Sequence, residues 1–91
     1  MEIIKEQNRV FVIKNNIIVA YCTFPRVREN IVNINHTVVD SSLRGQGVAS
    51  NLLYAVVEVL IETNRKAIAS CSYALSWFEK HIEFDYLLLN K

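Results

Sequence analysis

The stretch "SLRGQGVAS", Ser42 to Ser50, contains both glycines of the 91-residue chain. A β-branched apolar run precedes it and a long apolar run with helical spacing follows it, so the stretch is predicted to join a strand to a helix. Glycine allows positive φ angles and close approach of the main chain to a bulky group, and the first turn of a helix offers free N–H groups to an anion. The spacing therefore predicts a phosphate-binding turn. A tight turn without a ligand is the alternative.

The composition indicates one globular domain, residues 1–91. Hydrophobic residues make up 52% and charged residues 21%, with one proline, so the chain can bury a core. The net charge is +1 without a basic run, so neither nucleic acid nor an anionic membrane is an expected partner. The sequence also shows no secretory signal and no apolar run of the roughly 20 residues that span a bilayer. It therefore predicts a cytoplasmic protein with two free thiols, Cys22 and Cys71.

The first half of the chain shows strand patterns. Arg9–Ile13 and Ile17–Phe24 are predicted to form a hairpin around "KNN", and Ile31–Val39 a third long strand. The segment "RVREN" between the second and third strands is predicted to be a turn. These elements indicate an antiparallel meander.

The second half is mainly helical. The apolar spacing predicts a helix over Val48–Glu62, then a short strand, Ala67–Cys71, and a second helix capped by Ser72. The tail "EFDYLLL" fits either a helical turn or a closing strand. The predicted fold is α+β, a mostly antiparallel sheet in the order βββ-α-β-α with helices packed on it.

Three phosphate-binding motifs can be compared with the loop. A Walker loop requires lysine after the second glycine, where this chain has Val48. A dinucleotide fingerprint requires a third glycine at Ser50 and a parallel sheet. The remaining pattern, R/Q-x-x-G-x-G/A, is matched by Arg44-Gly45-Gln46-Gly47-Val48-Ala49. In this hexapeptide the chain resembles the GNAT superfamily of acetyl-coenzyme A dependent N-acetyltransferases.

A second segment extends the resemblance. "ALSWFEKHIEF" is similar to the superfamily's A-x-x-F-Y-E-K-x-G-F, through Ala74, Trp77, Phe78, Glu79, Lys80 and Phe84. The matched region runs from about Ile31 to Phe84. Only "KNN" stands where larger members have helices that line the acceptor site. The chain therefore resembles a short single-domain branch with an open acceptor site, or one formed with a partner.

The resemblance implies a binding mode for acetyl-coenzyme A. The strand Ile31–Val39 is expected beside the pantetheine arm, with amides near Val38 and Val39 at the oxyanion. The turn from Arg44 to Ser50 is expected to wrap the pyrophosphate. The implied reaction is acetyl transfer to a primary amine of a small molecule, a lysine or a protein N-terminus, and no metal is implied. The alternative is a non-catalytic coenzyme A binding sensor or interaction module.

The sequence leaves the identity of the catalytic residues open. Phe78 replaces the tyrosine that protonates the leaving thiolate in the superfamily, so another donor or water must serve, or the transfer runs differently. Cys71, expected before a helix N-terminus that favours a thiolate, is a candidate nucleophile or acid, or a small core residue. Tyr73 could reach the thioester, or serve as a core aromatic.

Two histidines and the second cysteine have simpler interpretations. By alternation His36 shares a face with Val32 and Ile34, so it is either a hydrogen-bonded core residue or a general base. His81 is expected to interact with the carboxyl end of the second helix. Cys22 falls on a core face and is expected to take no part in chemistry.

Overall fold

The computed structural model describes residues 2–90, in which two small sheets are packed against two α-helices. The elements are β1 Ile3–Lys5, β2 Arg9–Lys14, β3 Ile17–Thr23, β4 Arg26–Arg28, β5 Ile31–Ile34, β6 His36–Val39, α1 Val48–Glu62, β7 Lys66–Ala69 and α2 Ser72–Glu79. Short 3₁₀ helices follow β6, at Ser41–Leu43, and α2, at Ile82–Leu87. The α+β class and the helices beside a mostly antiparallel sheet are as predicted. No helix within residues 2–90 is both long and apolar enough to cross a membrane.

The first sheet has the order β1-β2-β3-β6, and all its pairs are antiparallel. The predicted hairpin is confirmed as β2 and β3. Asn15 and Asn16 form its two-residue turn with φ angles of 53° and 64°. Asparagine tolerates this left-handed region better than most residues. The pattern did not predict β1, which has only three residues.

The predicted single strand Ile31–Val39 is in fact two strands in different sheets, β5 and β6. Both Asn35 and His36 lie opposite Thr23, because the Asn35 N–H donates to the Thr23 carbonyl and His36 is paired with Thr23 in the register. Two residues opposite one constitute a β-bulge, which reverses the side-chain alternation beyond it. The Thr23 hydroxyl also donates to Asn35 Oδ1 at 2.6 Å, which fixes the bulge.

The second sheet has the order β4-β5-β7, with β5 and β7 parallel. Its edge strand β4 lies in "RVREN", so the prediction of a turn there is wrong except around Glu29, whose φ is 39°. Because β6 leaves this sheet to pair with β3, β6 and β7 are not paired with each other. The Ile34 carbonyl accepts from the amides of both Ser70 and Cys71 where they diverge.

The helix α1 has the predicted bounds and packs on the first sheet. Leu52, Val56 and Leu60, one turn apart, are fully buried in the core. The helix α2 contacts β7 and α1, and Trp77 Nε1 donates to Ser50 Oγ at 2.9 Å. This hydrogen bond fixes the start of α1 relative to α2.

The carboxyl-terminal third differs from prediction at its element boundaries. The strand β7 ends at Ala69 rather than Cys71, and Cys71 rather than Ser72 occupies the N-cap of α2. The tail forms the second 3₁₀ helix and then pairs once with β7, through a parallel bridge between Leu88 and Ala67.

Among residues 2–90, Arg65 is the one charged residue that is buried, and it follows the end of α1. Its Nη1 donates to Asn8 Oδ1 at 2.9 Å, and its Nη2 donates to the Gln7 carbonyl. Its Nε donates to Thr63 Oγ1 at 2.8 Å. One guanidinium thus ties the end of α1 to the turn between β1 and β2.

Arg65→Met is expected to lower the free energy of unfolding by about 1–3 kcal/mol, because the chain loses the hydrogen bonds that the guanidinium donates to Asn8, Gln7 and Thr63. Urea denaturation measures the loss. Arg28→Met removes a charge from an exposed edge strand and should change the free energy by less than about 0.5 kcal/mol. Equal effects of the two substitutions would contradict a structural role for Arg65.

Candidate active site

The loop between β6 and α1 leaves open space beside the helix N-terminus. Gly45 and Gly47 have φ angles of +79° and +73°, and Gly47 is the N-cap of α1. A Cβ built at either glycine meets no described atom within 4 Å. The glycines are therefore required by the backbone conformation, and the space beside them is open to a ligand. The first turn of α1 carries no acidic residue, so its free N–H groups suit an anion such as pyrophosphate.

Asp40 is the nearby carboxylate that could repel such an anion. It accepts from the Ser42 amide at 3.0 Å and from the Ser42 hydroxyl, and so caps the 3₁₀ turn Ser41–Leu43. These hydrogen bonds, and less strongly the charge of Arg44, lower the pKa of Asp40. Its side chain is engaged with Ser42, and Arg44 partly balances its charge.

A cavity of about 310 Å³ joins the loop to β6 and to the first turn of α2. It is lined by Thr37, Val39, Leu43, Arg44, Gly45, Gly47, Val48, Ala49, Ser50 and Tyr73. Most residues of the predicted binding turn are thus brought together with one predicted catalytic residue, Tyr73. Gln46 differs, because its side chain lies toward the Ser42 carbonyl, at 3.5 Å, and lines a separate cavity.

The strand β6 presents an open edge to this cavity. The Asp40 amide donates to the Val19 carbonyl at 2.8 Å, in register with β6 pairing to β3. Main-chain groups of an antiparallel strand alternate between its two edges, so the Val38 amide also faces β3. The amides of Thr37 and Val39 face the other edge, where β7 is absent. The available strand donors are therefore the amides of Thr37 and Val39 rather than that of Val38.

His36 and Val38 lie on the other face of β6. Both are exposed, whereas Val32 and Ile34 of β5 are fully buried. The prediction that His36 shares the core face with Val32 and Ile34 is wrong, because the bulge at Asn35 reverses the alternation. Neither His36 nor Val38 lines the cavity.

Cys71 lies immediately behind the cavity. Its thiol is half-buried, and its Sγ–H donates to Thr37 Oγ1 at 3.6 Å. The Cys71 amide donates to the Ile34 carbonyl at 3.2 Å. This hydrogen bond holds Cys71 at the point where β6 and β7 diverge. Thr37 lines the cavity, so Cys71 contacts a residue of the site. Sequence reasoning missed Thr37, which only the reversed alternation of β6 turns toward Cys71.

Cys22 on β3 is the second thiol in contact with Thr37. Its Sγ lies 3.4 Å from Thr37 Oγ1, and its side chain is fully buried, as predicted for a core residue. Burial raises the pKa of Cys22 from 9.0 to about 11. The hydrogen bond with Thr37 lowers the pKa of Cys22, but this effect is smaller than the increase caused by burial.

This raised pKa predicts a loss of stability at alkaline pH. Between pH 9 and 11 the thiol ionises in the unfolded chain but stays protonated in the folded one, so rising pH favours unfolding. The stabilisation is complete below pH 9, and about 2–3 kcal/mol is lost by pH 11. In urea denaturation, the free energy of unfolding of Cys22→Ala should fall by about 2–3 kcal/mol less than that of the wild type between pH 9 and 11. Parallel curves of unfolding free energy against pH for the wild type and Cys22→Ala would contradict this role of Cys22.

Tyr73, in the first turn of α2, is the tyrosine that lines the cavity. It is 39% exposed, and partial burial, together with the charge of Cys71, raises its pKa. The hydroxyl is therefore protonated at neutral pH and can donate a proton. Phe78, which replaces the superfamily's tyrosine, is 1% exposed and packs edge-on against Trp77 in the core.

His81 lies at the carboxyl end of α2, as predicted. Its Nδ1 is 2.6 Å from the Trp77 carbonyl, and its ring stacks on Trp77 with centroids 3.8 Å apart. Among residues 2–90, no group of three or more His, Cys, Asp or Glu residues could hold a metal ion.

The divergence of β6 from β7, with a glycine loop leading into α1, defines an α+β domain of the N-acetyltransferase type. Residues 9–87 match the family described as GCN5-related N-acetyl-transferase, and the chain belongs to this family.

Relatives and solved structures agree with this assignment. Protein NATD1 of Gallus gallus is 29% identical over 68 residues, which cover 75% of this chain and 62% of that protein. Protein NATD1 of Homo sapiens is also 29% identical over 68 residues, covering 75% and 60%. The chain thus spans about six-tenths of the length of these curated relatives.

A GCN5-like protein from Staphylococcus aureus, known from its solution structure, is 40% identical in sequence to this chain. The match covers 99% of this chain and 89% of that one, with a TM-score of 0.78. A ribosomal-protein-alanine N-acetyltransferase from Brucella melitensis is 16% identical. It covers 80% of this chain and 61% of that one with a TM-score of 0.60, and so shares the fold.

Proposed function

We propose that the chain transfers the acetyl group of acetyl-coenzyme A to a primary amine, on a small molecule, a lysine or a protein N-terminus. One observation carries the proposal: a single cavity is lined by both loop glycines, by Thr37 and Val39 on the open edge of β6, and by Tyr73. Pyrophosphate binding, oxyanion stabilisation and proton donation can therefore occur in one continuous space.

The loop holds the pyrophosphate in this proposal. The amides that begin α1, from Gly47 to Ala49, donate to the phosphate oxygens, and the positive end of the helix dipole adds attraction. Arg44 lines the same cavity and supplies a positive charge. The open space beside Gly45 and Gly47 admits the phosphates to the main chain.

The transfer uses Cys71, Val39 and Tyr73. The substrate's thioester supplies an activated acetyl group. The Cys71 thiolate attacks its carbonyl carbon, the Val39 N–H donates to the oxyanion, and the Cys71 sulfur receives the acetyl group. Tyr73 gives its proton to the departing coenzyme A thiolate.

The second half of the reaction restores the residues. The amine nitrogen attacks the acetyl carbon on Cys71, the C–S bond breaks, and the Cys71 thiolate is regenerated. The Tyr73 phenolate takes the proton that the amine loses. The balance is one acetyl-coenzyme A and one amine consumed, and one coenzyme A thiol and one amide formed.

The test is release of free coenzyme A thiol with a panel of amines: polyamines, amino acids, and peptides with a free lysine or N-terminus. We expect at least one acceptor to give catalytic release above the rate without acceptor. Tyr73→Phe should slow release without weakening binding, while Tyr86→Phe, an exposed tyrosine that does not line the cavity, serves as its control. Binding without release for every acceptor would contradict the proposal and favour a non-catalytic coenzyme A binding module.

A further inference from the structure

We infer that Thr37 is a positioning residue for Cys71. Its hydroxyl, oriented by the buried Cys22 thiol, holds the Cys71 sulfur beside the cavity and donates to that sulfur once it is deprotonated. The importance of this contact for turnover rests on the proposed function. The contact itself can be measured on the protein alone.

The geometry that carries the inference is a chain of three side chains from three elements. Thr37 Oγ1 lies 3.4 Å from Cys22 Sγ on β3 and 3.6 Å from Cys71 Sγ at the start of α2. A hydroxyl has one proton to donate and lone pairs to accept with. With Cys71 as a neutral thiol, its S–H donates to Thr37, and the Thr37 O–H is free to donate to Cys22.

Ionisation of Cys71 reverses this chain. A thiolate cannot donate, so the Thr37 hydroxyl turns its proton toward the Cys71 sulfur, and Cys22 donates its S–H to the vacated lone pair of Thr37. Cys22 can do so because burial raises its pKa to about 11, so it keeps its proton at neutral pH. The chain is therefore satisfied in both protonation states of Cys71, and hydrogen bonds to ionised groups are the stronger kind.

Other titratable groups lie on the elements near the thiol, but they do not replace Thr37. Tyr73 in α2 interacts electrostatically with Cys71, and Arg44 of the loop lines the adjoining cavity. On β6 itself His36 lies on the opposite face. Among these groups, Thr37 is the one that makes a hydrogen bond to the Cys71 sulfur.

The test is the rate of Cys71 alkylation by iodoacetamide as a function of pH, measured on the Cys71 peptide by mass spectrometry. Thr37→Val keeps the shape of the side chain and removes the hydroxyl. We expect the midpoint of its curve to rise by about one pH unit, which slows alkylation about tenfold at neutral pH. Thr37→Ser restores the hydroxyl and should return the midpoint close to that of the wild type. Cys22→Ala should give a smaller rise, because Thr37 then loses its orienting donor.

Superimposable alkylation curves for the wild type and Thr37→Val would overturn the inference. If Thr37→Val unfolds at the alkaline end, Thr37→Ala is measured with the same expectation. The acceptor panel separates this inference from the proposed function. A shifted alkylation curve with unchanged coenzyme A release would leave the inference standing and remove the nucleophilic role of Cys71.

Discussion

Gly47→Val is expected to weaken acetyl-coenzyme A binding by about 100-fold or more. The added side chain enters the open space beside the loop, where the proposed phosphates approach the first amides of α1. Loss of two hydrogen bonds to a charged group corresponds to an effect of this size. Isothermal titration calorimetry measures the change in affinity directly.

The same substitution also strains the backbone, since valine disfavours a φ of +73°. A strain of about 1–3 kcal/mol lowers stability without abolishing the fold. Asn64→Val is the matched control, because Asn64 also has a positive φ, 55°, but lies beyond the carboxyl end of α1. Gly47→Asn, with a residue that tolerates this φ, should also bind weakly. Wild-type affinity in both Gly47 variants would show that the pyrophosphate does not lie at this loop.

Cys71→Ala is expected to lower kcat by about a thousandfold, while the Kd for acetyl-coenzyme A changes less than about twofold. The substitution removes the sulfur that accepts the acetyl group but leaves the loop and the open edge of β6 intact. Ser72→Ala, at the next and exposed position, is the control and should keep turnover within about twofold.

Mass spectrometry distinguishes the nucleophile from a proton donor. Incubation with acetyl-coenzyme A and no acceptor should leave an acetyl group on the Cys71 peptide. An unmodified Cys71 under turnover, or more than a tenth of wild-type kcat in Cys71→Ala, would contradict the nucleophilic role.

The loop could be predicted from sequence because its requirement is local. Gly45 and Gly47 need positive φ angles and open space, and both needs follow from where the only glycines stand between a strand pattern and a helix pattern. The hairpin around Asn15 and Asn16 and the helix Val48–Glu62 were predictable for the same reason. In each, neighbouring residues determine the backbone.

The site beyond the loop depends on contacts between distant segments. The bulge at Asn35 is fixed by a hydrogen bond from Thr23, 12 residues earlier, and an alternating apolar pattern does not reveal it. That bulge turns His36 away from the core and Thr37 toward Cys71. The sequence therefore marked Cys71 and Tyr73 as candidates, but it gave the wrong face for His36 and no indication of Thr37.

Binding of coenzyme A at the loop can be tested by titrating ¹⁵N-labelled protein with coenzyme A and following the amide chemical shifts. The largest shifts are expected on the loop and the start of α1, at Gly45, Gly47, Val48 and Ala49, with further shifts at Thr37 and Val39 on the open edge. The amide chemical shift of Arg65, at the opposite end of α1, should not change. No shifts at millimolar coenzyme A, or shifts confined to residues outside the cavity, would contradict the claim that this loop and strand edge form the cofactor site.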